Sequence, residues 1–295
     1  MDVIGFVLHR LNTVVIAGIR ATAQDKERAL AQWSKTLRHL FRTLPGRTFF
    51  GAMFECDLRD HIMSRIFFFG VWEPSVSQVI TDVLRPGDLF VDVGANVGYD
   101  SLLASKRVGD EGSVVAIEAA SAIFSQLIFN VARNRVKNLR TVNAAVGRER
   151  GQLILYGGDE WNQGRTSPLP REGLSPIESV PMLPLDEILT VDERSRARLI
   201  KIDIEGGELG VLERLVETLS LYNEHLHILV EVSEEPTGAA AEVFRLLTSN
   251  RFKAFAIAND YSVGSYLKGT APLPPQPIAE LPPHQTDILF VPAGA

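Results

Sequence analysis

Two glycines, Gly94 and Gly98, follow an apolar run at Leu89–Val93 and precede residues with helical spacing. A strand, a glycine turn and the N-terminus of a helix form a cradle for phosphates or nucleosides in many α/β proteins. A dinucleotide fingerprint needs G-x-G-x-x-G, and the run Gly94-Ala95-Asn96-Val97-Gly98 does not fit it. The spacing therefore disfavours a nicotinamide-dependent oxidoreductase, which stays an alternative, and favours another nucleoside ligand.

Two acids flank this turn. Asp92 stands two residues before Gly94, where its charge would repel a pyrophosphate and suit a cationic amino group, such as that of S-adenosylmethionine (SAM). Glu118 ends the next apolar run, Val114–Glu118, where a carboxylate can accept hydrogen bonds from two ribose hydroxyls. Acids at the ends of two successive strands, with the glycine turn between them, favour a ligand site over solvated loop residues. We also expect Gly94 to let the backbone approach the ligand, since a Cβ would intrude.

A second pair of acids, Asp203 and Glu205, follows the apolar run that begins at Leu199. Period-two alternation puts both side chains on one face of a strand. Neighbouring carboxylates repel, which raises one pKa and can prepare a general base. The pair could instead hold a divalent cation such as Mg²⁺, which would acidify a substrate hydroxyl. Two more interpretations stay open: Asp203 orients the SAM amino group while Glu205 meets the acceptor, or both acids cap the helix that follows.

Five motifs occur in the order typical of FkbM-type SAM-dependent methyltransferases: VDVGANVGY, AIEA, VNAAVG, PLDEIL and LIKIDIEGGE. The chain resembles that family over about residues 54–292. The resemblance implies a class I methyltransferase fold and O-methylation of a hydroxyl, often on a sugar or a natural product. One motif departs from the family pattern, because Glu118 is followed by Ala119 where the family usually has proline. That departure puts the shape of the following loop in doubt.

The candidate site residues combine these motifs. Asn143-Ala144-Ala145 leaves room for a flat adenine ring, which the resemblance also implies. Glu73 belongs to a G-x-[YW]-E-P run that precedes the SAM domain in the family, and the resemblance implies that it lies near the cofactor. The alternative is that Glu73 only starts a helix beside Pro74. The candidate cofactor-binding residues are Glu73, Asp92, Gly94, Ala95, Asn96, Gly98, Tyr99, Glu118, Ala119, Asn143, Ala144, Ala145 and Asp203. The catalytic candidates are Asp203, Glu205 and, as a base that caps the cleft, His61. No residue is assigned as a metal ligand.

Strands and helices alternate from residue 88 onward. The predicted strands are 88–93, 113–118, 139–144, 199–204, 226–232, 252–258 and 286–291. The predicted helices include 75–84, 97–107, 120–134, 207–219 and 237–249. This alternation predicts an α/β fold with a doubly wound, mostly parallel seven-stranded sheet of Rossmann-like type. The resemblance implies that the last strand is antiparallel. Residues 152–156 alternate like a strand and are predicted to pair with 179–183. The long loop 157–170 between them, with Trp161 to Ser167, is predicted to be a lid or substrate loop, with a plain surface loop as the alternative. The Pro-rich connection 259–284 is predicted to lie over the site or an edge of the sheet and, with the loop, to shape the acceptor site.

The N-terminal segment differs from the rest in charge. Residues 1–50 carry eight Lys/Arg and three Asp/Glu, a net charge of +5, against −6 for the whole chain. Apolar spacing predicts two helices there, the second beginning at Thr22 and ending at Pro45-Gly46. We expect a helical N-terminal extension at 1–47 and a methyltransferase domain at 48–295. The helices could pack on the domain, join two copies in a homo-oligomer or contact a membrane surface.

Composition narrows the function classes. The net charge of −6 argues against a nucleic-acid binder, and the only cysteine, Cys56, excludes an internal disulfide. A single cysteine fits a reducing cytoplasm, and residues 3–19 are too short and too polar for a membrane span. We expect a cytoplasmic O-methyltransferase with a small hydroxylated acceptor. The alternatives are an N-methyltransferase, for which the sequence lacks Asn-Pro-Pro-Tyr, and a scaffold protein attached through its basic N-terminal helices.

Overall fold

The computed structural model describes residues 3–22, 25–157, 166–167, 170, 173–204, 206–232, 238–269, 271–283 and 286–294. The chain divides into two compact units, a smaller one of residues 1–74 and 260–272 and a larger one of 75–259 and 273–295. The predicted domain boundary after residue 47 stays a prediction, because compactness does not by itself define a domain. In the described residues, no helix is long and apolar enough to cross a membrane.

The helices and strands alternate through most of the chain. The helices are α1 Val3–Thr22, α2 Lys26–Leu40, α3 His61–Phe69, α4 Pro74–Val83, α5 Tyr99–Val108, α6 Ser121–Arg133, α7 Leu185–Ile188, α8 Val191–Arg196, α9 Glu208–Glu217, α10 Ala239–Ser249 and α11 Val263–Lys268. The strands are β1 Thr43–Arg47, β2 Met53–Asp57, β3 Leu89–Val93, β4 Ser113–Glu118, β5 Leu139–Asn143, β6 Ala145–Val146, β7 Gly151–Gly157, β8 Thr166–Ser167, β9 Ser175–Leu183, β10 Ala197–Ile202, β11 His227–Val232, β12 Phe252–Ile257, β13 Gln276–Ile278 and β14 Thr286–Pro292.

An eight-stranded sheet forms the centre of the larger unit, in the order β13-β12-β14-β11-β10-β3-β4-β5. Five neighbouring strands, from β11 to β5, are parallel, and β14 lies antiparallel between β11 and β12. All five residues of β3 are buried, as expected for a strand covered on both faces. The predicted α/β class with a doubly wound, mostly parallel sheet is therefore confirmed.

The strand count needs one correction. The seven predicted strands are present, but β13 adds an eighth at the edge, where it pairs antiparallel with β12. This strand lies in the Pro-rich segment 259–284, which we predicted as a connection over the site or over an edge of the sheet. Pro277 is compatible with it because an edge strand leaves one row of backbone groups outside the ladder.

The second N-terminal helix is shorter than predicted. Helix α2 begins at Lys26, since the carboxylate of Asp25 accepts the backbone N–H of Arg28 at 2.9 Å and caps the helix. It ends at Leu40, and residues 43–47 form β1, which pairs antiparallel with β2. The predicted end at Pro45-Gly46 is wrong because residues 43–47 pair with the next strand, β2, and this pairing outweighs the local helical spacing.

Strands β6 to β9 form a second, four-stranded sheet in the order β6-β9-β7-β8. The predicted pairing of residues 152–156 with 179–183 is confirmed, since Leu153 lies opposite Val180. Strand β9 begins earlier than predicted, at Ser175. Trp161 to Arg165 lie outside the described residues, so the predicted lid stays a prediction.

Candidate cofactor site at the carboxyl ends of the strands

Strands β4, β3 and β10 are neighbours and parallel, so their carboxyl ends lie at one edge of the sheet. Glu118 ends β4, the glycine turn follows β3, and Asp203 follows β10. Ligands of open α/β sheets bind at this edge. The topology therefore brings together candidate residues that lie as far as about one hundred positions apart in the sequence.

The glycine turn holds three residues with left-handed backbone: Gly94 at φ +86°, Asn96 at +49° and Gly98 at +88°. The backbone N–H groups of Gly94 and Ala95 both donate to the carbonyl of Ile117 at 2.9 Å, which ties the turn to β4. A Cβ on Gly94 would lie 1.8 Å from the carbonyl oxygen of Asp203. We expected a ligand to require this glycine, but the neighbouring strand end already requires it.

The carboxylate of Glu118 is fixed by backbone donors. Its Oε2 accepts the N–H of Asn96 and its Oε1 accepts the N–H of Ala120, each at 2.9 Å. Burial raises the pKa of Glu118, whose residue is 8% exposed, while these N–H groups favour the charged form. Each oxygen keeps a further lone pair, so the side chain can accept two hydroxyl hydrogen bonds without rearranging. The donor and acceptor set fits a ribose.

The other residues predicted to bind the cofactor lie at the end of β5 and the start of α5. The side-chain amide of Asn143 donates to the carbonyls of Glu118 and Ala119 at 2.9 Å, which joins the ends of β4 and β5. Ala144 and Ala145 are buried. Tyr99 is also buried, and its hydroxyl lies 3.2 Å from the Oγ of Ser77. Their contacts with a cofactor stay predictions.

A buried lysine lies between two acids beside the glycine turn. The Nζ of Lys201, whose side chain is 5% exposed, lies 2.8 Å from Oδ2 of Asp203 and 3.4 Å from Oδ2 of Asp100. Burial raises the pKa of Asp203, but the Lys201 ammonium and a hydrogen bond with Glu231 outweigh it, so that its pKa lies below the usual value. The side chain of Asp203 is 27% exposed. Asp203 is therefore an ionised carboxylate that a ligand can reach.

Three more acids near this lysine are buried: Asp92, Asp100 and Asp287. Burial raises the pKa of all three, to about 7 for Asp92 and Asp287, while the charge of Lys201 opposes the shift. Asp92, which is 1% exposed, accepts the Ser101 hydroxyl through Oδ2 at 2.5 Å. Its predicted contact with the SAM amino group stays a prediction, and Asp203 is the better placed of the two acids.

Sequence reasoning missed three members of this cluster: Asp100, Lys201 and Asp287. A signal was present for two of them, because Lys201 and Asp287 stand within or beside apolar strand runs. A charged residue in a buried strand is rare unless it is paired. Strand β10 also ends at Ile202, two residues earlier than predicted, so Asp203 lies in the loop after it.

Two candidates lie in the smaller unit and one lies outside the described residues. Glu73 accepts the Tyr261 hydroxyl through Oε1 at 2.9 Å, and its backbone N–H donates to the hydroxyl of Tyr266 at 3.3 Å. His61 begins α3 and contacts the Trp72 ring edge to face. Their roles toward the cofactor and the acceptor stay predictions. Glu205 is not among the described residues, and its role also stays a prediction.

No group of three or more His, Cys, Asp or Glu side chains in the described part of the chain is arranged to hold a metal ion. The predicted Mg²⁺ option pairs Asp203 with Glu205, which lies outside that part. Magnesium therefore stays a prediction.

The raised pKa of Asp287 gives the stability of the fold a pH dependence. The folded chain holds this proton up to about pH 7, whereas an unfolded aspartate releases it near pH 4. Between these values the folded state binds more protons, so the free energy of unfolding falls as the pH rises. We expect Asp287→Asn to raise the free energy of unfolding at pH 8 by up to about 4 kcal/mol, the equivalent of a difference of about three pKa units between the folded and unfolded states.

Urea denaturation at about pH 5 and about pH 8 measures this effect. The gain should be larger at the higher pH, where wild-type Asp287 is charged. Asp110→Asn, at an exposed turn position, is the control and should change stability equally little at both values. An equal gain for Asp287→Asn at both pH values would contradict the assignment.

The chain is similar in sequence to known methyltransferases. Methyltransferase 1 of Beauveria bassiana is 28% identical over 192 residues, which cover 59% of this chain and 74% of that protein. Arsenite methyltransferase of Halobacterium salinarum is 32% identical over 56 residues, which cover 19% of this chain and 14% of that protein.

Solved structures give a weaker likeness. A SAM-dependent O-methyltransferase of Thermotoga maritima matches with a TM-score of 0.42 and 13% identity, over 87% of this chain and 81% of that chain. Precorrin-6y C5,15-methyltransferase of Geobacter metallireducens matches with a TM-score of 0.43 and 11% identity, over 74% of this chain and 87% of that chain. Structural similarity and sequence identity this low do not identify the substrate of this chain.

The match to a family is more informative. The sequence model described as "Methyltransferase FkbM domain" matches residues 92–254, more than half of the chain. This range includes the glycine turn, Glu118, Lys201 and Asp203. The chain therefore belongs to the FkbM family of SAM-dependent methyltransferases.

Proposed function

We propose that the protein transfers the methyl group of SAM to a hydroxyl oxygen of a small molecule of the sugar or natural-product class. The observation that carries this proposal is the ionised, partly exposed carboxylate of Asp203 at the same sheet edge as the fixed carboxylate of Glu118. Glu118 fits the ribose, and Asp203 fits either the amino group of SAM or the acceptor. Family membership supports the choice of cofactor.

When bound, SAM supplies a methyl group that already has a good leaving group. The chain then has to align the acceptor oxygen and accept the hydroxyl proton during or after transfer. Carboxylates at the edge of the sheet where the parallel strands end can align the acceptor and can accept its proton. Asp203 keeps its charge because the Lys201 ammonium lowers its pKa. Glu205 follows two residues later in the sequence. In this proposal Asp203 orients the cofactor or the acceptor, and Glu205 receives the proton.

The role proposed for Glu205 can be tested by one substitution. We expect Glu205→Gln to lower kcat at least about tenfold, since an amide cannot take the proton, and to leave the affinity for SAM within about twofold. Steady-state kinetics and calorimetry measure the two effects. Glu217→Gln, an exposed change on α9, is the matched control. An unchanged kcat for Glu205→Gln would remove this residue from the mechanism.

The function itself is tested first by calorimetric titration of the full chain with SAM and with S-adenosylhomocysteine (SAH), with and without magnesium. Labelled SAM is then offered with hydroxylated sugars and natural products, and with the corresponding amines. Binding of both nucleosides and label transfer to hydroxyls only would support the proposal. Transfer to amines would favour an N-methyltransferase, and a folded sample that binds neither compound would favour the scaffold alternative. A magnesium-dependent affinity would point to Asp203 and Glu205 as ligands.

A further inference from the structure

The smaller unit contains a cavity of about 590 Å³ between α2, the N-terminal part of α3 and α11. This volume is in the range of small-molecule sites. The cavity belongs to the basic N-terminal region of the sequence, whose charge the methyltransferase proposal does not use. Its lining has two distinct parts, an apolar floor and a charged rim.

The rim is cationic. Four arginines line the cavity, Arg28, Arg38, Arg59 and Arg65, against two carboxylates, Asp25 and Glu27. Asp57 neutralises Arg59 through a two-pronged contact, and Asp25 accepts a backbone N–H as the cap of α2. Within the described ranges, no ion pair engages Arg28 or Arg38. The rim therefore presents guanidinium groups that an anion could engage.

Arg65 is held in place by aromatic neighbours. Its guanidinium lies 5.3 Å from the centre of the Tyr266 ring and donates to the carbonyl of Tyr261 at 3.4 Å. Burial lowers the pKa of Arg65, and burial together with the Arg65 charge lowers the pKa of His61, which also lines the cavity. The Arg65 charge is therefore partly desolvated and acts on the cavity lining at His61, so it would attract an anion bound beside it.

The floor is apolar. The buried side chains of Leu30, Leu58 and Phe68 line it, together with Val263. Guanidinium groups bind phosphate oxygens through several parallel N–H donors. We propose that this cavity binds a phosphate-type oxyanion through Arg28, Arg38 and Arg65, with the carbon group attached to the phosphate lying on the apolar floor. The ligand class is thus a phosphate ester, either soluble or as a lipid headgroup.

The test uses the full chain and two phosphate-containing probes, one soluble and one in a lipid vesicle. Calorimetry with butyl phosphate examines a soluble ester, and co-sedimentation with vesicles of phosphatidylglycerol, against phosphatidylcholine, examines a headgroup. The test variant is Arg28→Gln with Arg38→Gln, both on exposed positions of α2. The control is Arg42→Gln, which removes one positive charge from the same unit, whereas the test variant removes two, at a side chain that is 73% exposed and outside the cavity.

We expect wild-type protein to bind a probe and the double variant to bind it at least about tenfold more weakly, while Arg42→Gln stays within about twofold. Binding of butyl phosphate with this pattern identifies a soluble ester, and binding of phosphatidylglycerol vesicles alone with this pattern identifies a headgroup. Binding of neither probe, or an equal loss in Arg42→Gln, overturns the proposal. SAH affinity, measured on the same samples, shows that every variant is folded and tests the methyltransferase proposal separately.

Discussion

Lys201→Met is expected to lower the free energy of unfolding by about 3–5 kcal/mol, the range for removing one partner of a buried ion pair. Methionine has nearly the length of lysine, so packing changes little. The ammonium, however, lies 2.8 Å from Asp203 and 3.4 Å from Asp100, and its loss leaves buried acids without a counter-charge. Urea denaturation at neutral pH measures the change.

The same variant should make cofactor binding depend on pH. In the wild type, the ammonium of Lys201 keeps the pKa of Asp203 low, so Asp203 is ionised throughout the neutral range. Without it, burial and the neighbouring carboxylates raise that pKa. If Asp203 orients the amino group of SAM, the affinity of Lys201→Met for SAH should fall as the pH is lowered from about 9 to 6, while the wild type changes little.

Two further variants identify the cause of the loss. Lys106→Met, at an exposed position of α5, should change stability by less than about 0.5 kcal/mol. Lys201→Met combined with Asp100→Asn should recover part of the lost stability, because only one of the two acids that lost their counter-charge, Asp203, can then be charged. A loss below about 1 kcal/mol for Lys201→Met alone, or no recovery in the double variant, would contradict the ion-pair role.

Local rules were sufficient for the main elements of the larger unit. The glycine turn was predictable because Gly94 and Gly98 occur between an apolar run and helical spacing, and the structure gives both a positive φ. The placement of Glu118 at the end of β4 followed from the same kind of pattern. Such features depend on residues that are close in sequence, so a single sequence contains the information that determines them.

Pairing between strands was not predictable in the same way. Phe41 and Leu44 continue the apolar spacing of α2, yet residues 43–47 form a strand because the following segment, Met53–Asp57, folds back and pairs with it. Strand β13 forms in a Pro-rich segment only because β12 offers a sheet edge. In both cases the partner, and not the local sequence, determines the conformation.

The charged cluster of the candidate site shows the same limit. Asp100, Lys201 and Asp287 belong to α5, β10 and β14, and only the sheet order brings their segments together. From the sequence each could be a solvated charge. Burial and mutual distance decide that Asp203 keeps its charge while burial raises the pKa of Asp92, and neither quantity is available before the fold is known.

Glu118→Ala is expected to weaken SAH binding by about 100-fold. Two hydrogen bonds from ribose hydroxyls to a charged group contribute about 1.5 kcal/mol each, and about 1.4 kcal/mol corresponds to a factor of ten. The substitution also removes the acceptors of the Asn96 and Ala120 N–H groups, which hold the glycine turn against β4. Calorimetric titration with SAH measures the affinity, and circular dichroism confirms that the sample is folded.

Two variants separate the loss of ligand contacts from a general loss of charge. Glu118→Gln keeps one carbonyl oxygen but turns an N–H donor toward one of the two backbone N–H groups, so we expect an intermediate loss of about tenfold. Glu178→Gln is the control, because the half-buried Glu178 accepts the N–H of Ser121, three residues after Glu118, at 2.9 Å. It should bind SAH within about twofold of the wild type. If Glu118→Ala and Glu178→Gln bind SAH equally well, Glu118 does not contact the ribose, and the cofactor must be held by other residues at this edge of the sheet.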